Sequence, residues 1–391
     1  MTGAPTDVFG YATRLTDAES AKLTALRELL EQRARPHLAT WWEDAHCPAH
    51  LRKEIAALHL EDDPAIVGED GEPRALYIGF RHLELARFDM SIGTLYGGQV
   101  GMFRTLVRRG GSPEQVDRWD PRIRSFDLTG CFALTEPDHG SDVAGGLETT
   151  ATREGDTWRI RGHKRWIGNA ALSEVIVVVA RDTADDRVKA FLVPRAAEGV
   201  TVRDVTGKIA LRMVRNGDIE LSDVRVPESD RLQRIDSFAD LAAILADLRF
   251  VVAWNAAGLQ IGAYEAALAY ASRRRQFGRP IAGFQLVQEK LSRMLGNATA
   301  TLALAVAITD VRQNGGADEM QAALVKGWAA DRARETVALA REICGAEGIR
   351  VDNDVARFFA DAEALYTFEG TREMNALIVG RAVTGLSAFT R

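Results

Sequence analysis

Cysteine is scarce in this sequence. The three present, Cys47, Cys131 and Cys344, lie far apart and form no CxxC pair. That spacing excludes a disulfide framework and a thiolate zinc site, and it fits a reducing compartment. There is no basic excess either. Lys and Arg total 49 against 55 Asp and Glu, a net charge of −6, so the electrostatic footprint of a DNA- or RNA-binding protein is missing. Met1 to Gly10 lack the charged-then-apolar order of a signal peptide. Long apolar runs are absent: Asp247 and Arg249 interrupt the 241–268 stretch, and 298–309 is too short to span a bilayer. No GxGxxG opens a helix and no GxxxxGK(S/T) occurs, which argues against Rossmann and P-loop nucleotide sites. These absences predict a soluble, cytoplasmic protein with neither nucleic-acid nor membrane partners. What is present is core material: 46% of the 391 residues are apolar and 27% charged, enough for two or three domains.

The hydrophobic period changes twice along the chain. Residues 1–128 read as helices. Thr16-x-x-Glu19 has the form of a capping box ahead of Leu23, Leu26 and Leu30. Further helical spacing runs through Leu51, Ile55 and Leu58, then from Ala75 to Ala86, with another start near Ser91. Ser112 and Pro113 look like the cap and first position of one more helix. Glu61 to Pro73 is polar and holds two Gly and two Pro, so it is expected to be a loop. His46-Cys47-x-x-His50 invites a metal reading, but no third ligand is near and Pro48 disturbs the spacing. No metal site is predicted.

Residues 129–240 read as strands. Thr149 to Arg153 and Thr157 to Lys164 flank Glu154-Gly155-Asp156, a hairpin signal. Val175 to Arg181, Val188 to Pro194 and Ile219 to Val226 follow, which predicts a compact antiparallel barrel or sandwich. Residues 241–391 return to helical spacing, with the Arg273-Arg274-Arg275-Gln276-Phe277-Gly278 stretch ending the first segment. The fold class is therefore α+β: an N-terminal helical domain (1–128), a middle β domain (129–240) and a C-terminal domain of four-helix-bundle type (241–391).

Three segments carry more than fold. In Cys131-Phe-Ala-Leu-Thr-Glu-Pro-Asp-His-Gly-Ser-Asp142, an apolar strand runs into hydroxyls, a proline and a glycine. That arrangement presents backbone donors and the Thr135 and Ser141 hydroxyls to a heteroatom-rich ligand, or it is an ordinary turn. In Lys164-Arg-Trp-Ile-Gly-Asn169, a large aromatic ends a strand and could cover a planar ring, or fill a core. In Tyr366-Thr-Phe-Glu-Gly-Thr371, a carboxylate sits between an aromatic residue and a glycine at a junction of two helices.

In this order and separation, the motifs resemble those of the acyl-CoA dehydrogenase family along nearly the full chain. Leu134-Thr-Glu-Pro-x-x-Gly-Ser-Asp142, Gln276-Phe-Gly278, Phe368-Glu-Gly-Thr371 and Ala376-Leu-Ile-Val-Gly-Arg-Ala-Val-Thr-Gly385 resemble most the glutaryl-CoA dehydrogenase-like branch. The resemblance implies FAD held between the β domain and the C-terminal bundle. It implies flavin and pyrophosphate contacts from Phe132, Leu134, Thr135 and Ser141, with Ser141 also meeting the CoA arm. Trp166, Ile167 and Gly168 match the segment against the flavin ring. Arg274, Phe277 and Gln285 match positions that hold the FAD phosphates and adenosine of a neighbouring subunit, which implies a homodimer or a dimer of dimers. Glu342, Ile343, Cys344, Gly345, Ala346, Thr371 and Glu373 match further FAD contacts. Leu245, Arg249, Gly370, Gly93 and Gly97 match the substrate cleft. Glu369 matches the catalytic base: it would take the α-proton of an acyl thioester while the β-hydrogen leaves as hydride to flavin N5, giving a trans-2-enoyl thioester. The thioester oxygen would accept from the base's own N–H and from an FAD ribityl hydroxyl. The usual electron acceptor of the family is an electron-transfer flavoprotein.

Four departures bear on the substrate. Gly93 stands where the glutaryl-CoA enzymes carry the arginine that grips a distal carboxylate, so glutaryl-CoA turnover with decarboxylation is not expected. Gly168 replaces a threonine beside the flavin, which leaves a flavin monooxygenase or oxidase on the same fold as an alternative. Phe368 replaces a tyrosine. Leu60-Glu-Asp-Asp-Pro-Ala-Ile-Val-Gly-Glu-Asp70 replaces a glycine-rich loop that walls the cleft, an odd acidity for plain acyl chains. Gly93, Gly97 and Gly98 either leave room for a bulky acyl group or permit close helix packing. The acyl group would be carried on CoA or on an acyl carrier protein.

Overall fold

A computed structural model describes residues 6–315 and 318–388. Helix α1 (Asp17–Arg33) opens on the anticipated capping box, Thr16 accepting from the Glu19 N–H while the Glu19 carboxylate accepts from the Thr16 N–H at 2.8 Å. Short helices α2 (Leu38–Glu43) and α3 (Leu51–Ala56) lead to the 61–73 loop. Then come α4 (Ala75–Phe88), α5 (Met90–Gly97), a π-helical turn over Gly98–Phe103, α6 (Arg104–Gly110) and α7 (Pro113–Arg124). Asp89 caps α5 by accepting from the Ser91 and Ile92 N–H groups, and Ser112 caps α7 with Pro113 first in the helix.

The middle segment is a seven-stranded sheet: β1 (Gly130–Ala133), β2 (Thr150–Glu154), β3 (Thr157–Gly168), β4 (Val175–Asp182), β5 (Val188–Pro194), β6 (Val200–Asp204) and β7 (Asn216–Pro227), with the short helix α8 (Val143–Gly146) after β1. The order is β1-β4-β2-β3-β7-β6, with β5 also on β4. The expectation of an antiparallel middle domain needs correction here. β4 pairs in parallel with β1 at its start and with β2 at its end, while its other edge takes β5 antiparallel. Both faces of β4 are buried, which explains its unbroken Val-rich sequence.

The C-terminal bundle comprises α9 (Phe238–Arg273), α10 (Gln285–Gln313), α11 (Glu319–Cys344), α12 (Asp354–Thr367) and α13 (Arg372–Thr384), with a β8–β9 hairpin (Arg275–Gln276, Arg279–Pro280) after α9. By length and composition α9 and α10 are apolar enough to cross a membrane. Here those apolar residues build the main core: Ala253, Trp254, Ala257 and Leu259 of α9 are buried with Met294, Leu302 and Ala305 of α10. Gly258 lets α9 meet α4 backbone to backbone, since a Cβ there would lie 2.2 Å from the Leu83 carbonyl. The three domains meet at Asp361 of α12, which accepts from the Leu211 N–H at 2.6 Å and from the Ser91 hydroxyl at 3.4 Å.

The acidic loop has a structural role that its composition does not reveal. Glu61 turns inward, ion-paired with Arg81, accepting from the Tyr96 hydroxyl at 2.9 Å and lying 3.8 Å from Arg104. Arg104 is bound in turn by Glu72 and Asp120. The buried carboxylate is thus consumed by fixed partners.

Candidate active site

The site assembles from the ends of elements. After β1, the 134–142 turn is closed by the Glu136 N–H donating to the His139 carbonyl at 2.9 Å. Glu136 is buried and accepts from the Glu148 and Thr149 N–H groups and from Lys164, whose ammonium is 2.7 Å away and also donates to the Leu134 carbonyl. Burial lowers the Lys164 ammonium to about 8, against the pull of Glu136. The Arg165 N–H adds a bond to the Thr135 carbonyl at 2.8 Å. A buried ion pair and a backbone bond therefore clamp the 134–142 and 164–169 segments to each other. Sequence reasoning misses Lys164 and Glu136 as supports because each looks like an ordinary polar residue.

β3 carries a register shift between Lys164 and Ile167. The bulge places Trp166 in the left-handed region (φ +64°) and turns its indole outward, 52% exposed. Ile167 points the other way, into the sheet core. Asn169 is also left-handed (φ +63°) and donates to the Leu95 carbonyl of α5 at 3.2 Å. This bond brings the end of β3 against the α5 glycines. Gly98 lies under Asn169, Gly97 under the His82 ring, and Gly93 faces the α4 backbone at Ala86.

Phe132, Leu134 and Leu245 pack against one cluster around Phe103, which draws the start of α9 to the 132–135 strand end. One turn on from Leu245, Arg249 pairs with Glu319 at 3.1 Å. Arg249 also bears electrostatically on Glu369.

Glu369 sits between α12 and α13 in a turn of two left-handed residues, φ +57° followed by +83° at Gly370. Its carboxylate accepts no hydrogen bond among the described residues, nor is its own N–H bonded there to backbone. By surface area it is half-buried, yet protein surrounds it closely enough that desolvation raises its pKa, opposed by Arg249 and then Lys326. Lys326 and Asn375 hold the turn through the Gly370 carbonyl, at 2.7 and 2.9 Å. Thr371 caps α13, and Glu373 accepts from the Tyr366 hydroxyl at 3.1 Å.

The remaining candidates lie elsewhere. Arg274, Phe277 and Gln285 are all exposed around the β8–β9 hairpin, with Phe277 92% exposed at φ +51°. At the end of α11, Ile343 and Cys344 are buried while Glu342, Gly345 and Ala346 are exposed. A separate groove of about 650 Å³, lined by Trp41, His46, Cys47, Leu172 and Arg215 among others, contains none of the candidates. No cluster among the described residues has a metal-ligand arrangement.

The family match is direct. Residues 16–127, 131–224 and 238–384 match, in order, the N-terminal, middle and C-terminal domains of acyl-CoA dehydrogenase. An acyl-CoA dehydrogenase of Bacillus subtilis (strain 168) is 31% identical over 326 residues, covering 82% of this chain and 86% of the relative. The chain belongs to the acyl-CoA dehydrogenase family. Two solved structures from Mycobacterium smegmatis are similar throughout. One glutaryl-CoA dehydrogenase is 36% identical, with a TM-score of 0.91 over 98% of this chain and 99% of that one. Another, in complex with FADH2, is 31% identical with a TM-score of 0.93 over 100% of both chains.

Acyl-CoA dehydrogenases are FAD-dependent oxidoreductases acting on CH–CH groups, and FAD is the cofactor of this chain. The residues present fit that group. Trp166 offers an open aromatic face at the bulge, the Thr135 and Ser141 hydroxyls have no hydrogen-bond partner among the described residues, and the buried Asn169 Oδ1 is likewise unpartnered. The resemblance to the family picks out the 134–142 and 164–169 segments. The positive φ at Trp166, which makes the indole available, is not visible in the residue types.

Proposed function

We propose that this acyl-CoA dehydrogenase desaturates an acyl thioester between Cα and Cβ with Glu369 as the base, and releases the enoyl product without decarboxylation. The observation that supports this most is the Glu369 carboxylate: desolvated, on a left-handed backbone, and without a hydrogen bond among the described residues, with Arg249 and Lys326 bearing on it. FAD, when bound, supplies the acceptor for the β-hydrogen and its electron pair. The chain's residues do the rest. A raised proton affinity brings Glu369 nearer to working pH than an exposed glutamate, the condition for an efficient general base. Its N–H, unbonded among the described residues, is a donor for the thioester oxygen, where enolate charge develops. Arg249 and Lys326 keep the carboxylate ionised before proton transfer. Leu245 and Ser141 flank the path of the thioester and its carrier.

By the family resemblance Gly93 stands where an arginine would grip a distal carboxylate, so this position offers no cation to a second carboxylate on the acyl chain. That supports a monocarboxylic acyl group, on CoA or on a carrier protein, with an electron-transfer flavoprotein as acceptor. The exposed Phe277 hairpin suits cover by a second copy of the chain, in a dimer or tetramer. A second reading, oxygen use by the reduced flavin, rests on Gly168 itself: it offers no side-chain hydroxyl at the position where the family resemblance places a threonine beside the flavin.

Anaerobic titration of the FAD-loaded protein with short, branched and aromatic acyl-CoAs tests these readings. Bleaching of the oxidised flavin by one ester, abolished in Glu369→Gln, is the expected result. Absence of bleaching by every CoA ester, with bleaching by an acyl carrier protein, assigns the carrier. Rapid CO₂ release from glutaryl-CoA would refute the non-decarboxylating reading. Substrate-linked oxygen consumption in the presence of a flavin reductase would favour the alternative.

A further inference from the structure

Lys326 is a buried ammonium in an apolar helix face. It shares its side of α11 with Ala322, Ala323, Val325, Ala329, Ala330 and Ala333, all buried. Burial there is unfavourable for a cation and lowers its pKa to about 8. The ammonium makes no ion pair within 4 Å among the described residues. Instead it donates to two backbone carbonyls, Tyr366 at 3.0 Å and Gly370 at 2.7 Å. Those carbonyls bracket Glu369, three residues before it and one after.

The bracketed turn needs outside support. A non-glycine residue in the left-handed region is sterically disfavoured, and Glu369 is such a residue followed by a second left-handed one. The Phe368 N–H closes α12 on Ala364, and Asn375 holds the far side by donating to the Gly370 and Thr371 carbonyls, both at 2.9 Å. Lys326 is the one side chain among these contacts that ties the near side, Tyr366, to the far side, Gly370.

We propose that Lys326 is a positioning residue for Glu369: its ammonium clamps the Tyr366 and Gly370 carbonyls and so fixes the turn that aims the carboxylate. The inference rests on the reading of Glu369 as base. The charged groups bearing on Lys326 are Glu369 in the turn, Arg249 from α9, Glu373 from α13 and Asp331 from α11 itself. Arg249 is partly neutralised by Glu319. Removing the ammonium therefore leaves Glu369 with weaker cationic support, and its pKa rises.

A purely structural role, satisfying a helix C-terminal carbonyl, predicts lost stability alone, so the test must read more than stability. Lys326→Met and Lys326→Arg are compared with wild type, all FAD-loaded, by amide hydrogen exchange and by the pH profile of flavin reduction under the ester that bleaches wild type. In Lys326→Met, exchange should accelerate at least tenfold within 366–371 and not along α11. The rate should fall by about 10²-fold, the effect of an ångström-scale misplacement, with KM within about twofold. The rising limb of the kcat/KM profile should move to higher pH. Lys326→Arg should restore the limb and part of the rate. Unchanged exchange at 366–371, an unmoved limb, or faster exchange spread evenly over α11 and α12 would overturn the proposal. Should wild type reduce with no thioester, the base reading fails, and the exchange comparison still decides the clamp.

Discussion

Glu61 and Glu369 are both glutamates withdrawn from open solvent, and they have opposite surroundings. Glu61 is sealed by Arg81, Arg104 and the Tyr96 hydroxyl. Glu369 has cations near it and no hydrogen bond to either oxygen among the described residues. Full satisfaction makes a carboxylate part of the scaffold, because any proton transfer would break several bonds at once. Partial support leaves a carboxylate ready to take a proton, at the cost of a strained, desolvated ground state. On the proposed reading of Glu369, the N-terminal domain and the C-terminal turn use the same side chain for different ends.

The comparison breaks most visibly at Glu369. Glu369→Gln should lower the rate of flavin reduction by about 10³-fold, within the range for a lost general base. Neutralising a desolvated charge should not lower the melting temperature or the bound FAD. A variant that retained the rate would remove Glu369 from the reaction. At Glu61 the effects should exchange. Glu61→Ala leaves Arg81 and Arg104 without a central partner, and breaking a buried pair from one side costs about 3–5 kcal/mol. Denaturant unfolding should show that loss, while activity per folded molecule stays near wild type. A large fall in activity with stability intact would mean that the loop serves the cleft after all.

The two glutamates also divide what neighbouring residues encode from what only tertiary contacts decide. Helix starts at Thr16 and Ser112 follow from local capping chemistry, which depends on residues three apart and is visible in a string of letters. Glu369 stands out through its motif. The parallel edge of β4 does not, because β1 is four residues long and its partner lies some forty residues on, so no local period encodes the pairing. Glu61 reads as an acid walling the cleft for the same reason: its partners Arg81, Tyr96 and Arg104 come from other elements. Lys326 carries a usable signal, a lysine at a buried position of an apolar helical stripe. Its purpose, two carbonyls about forty residues further along the chain, is tertiary.

A third carboxylate sharpens the contrast. Asp361 is bonded to the Leu211 N–H, yet burial and the nearby Asp89 push its pKa up, against Arg357. Its folded value lies above its unfolded one, near 3.8. The protonated form therefore adds stability that is complete below the unfolded value and lost as pH rises through the raised folded value. Asp361→Asn should weaken this dependence, leaving Asp89 as the remaining raised carboxyl of the pair. Relative to wild type, its melting temperature should rise between pH 5 and 9 by at least about 2 °C. A difference that stays constant with pH would show that no proton is held at the three-domain junction.

The smallest expected effect tests whether the α5 glycines belong to the scaffold or to the acyl pocket. A Cβ on Gly97 would lie 3.2 Å from the His82 ring. His82 is buried with neither ring nitrogen bonded among the described residues, and desolvation holds it neutral. With no hydrogen bond anchoring it, the ring can give by a few tenths of an ångström. Gly97→Ala should therefore cost only about 1 kcal/mol, at the low end for overpacking. Its relative kcat/KM for short and branched acyl-CoAs should stay within about twofold of wild type. A selective loss of the branched substrates would instead place the methyl in the path of the acyl chain. The N-terminal domain would then shape specificity, and its glycines would be set by the substrate as well as by packing against His82.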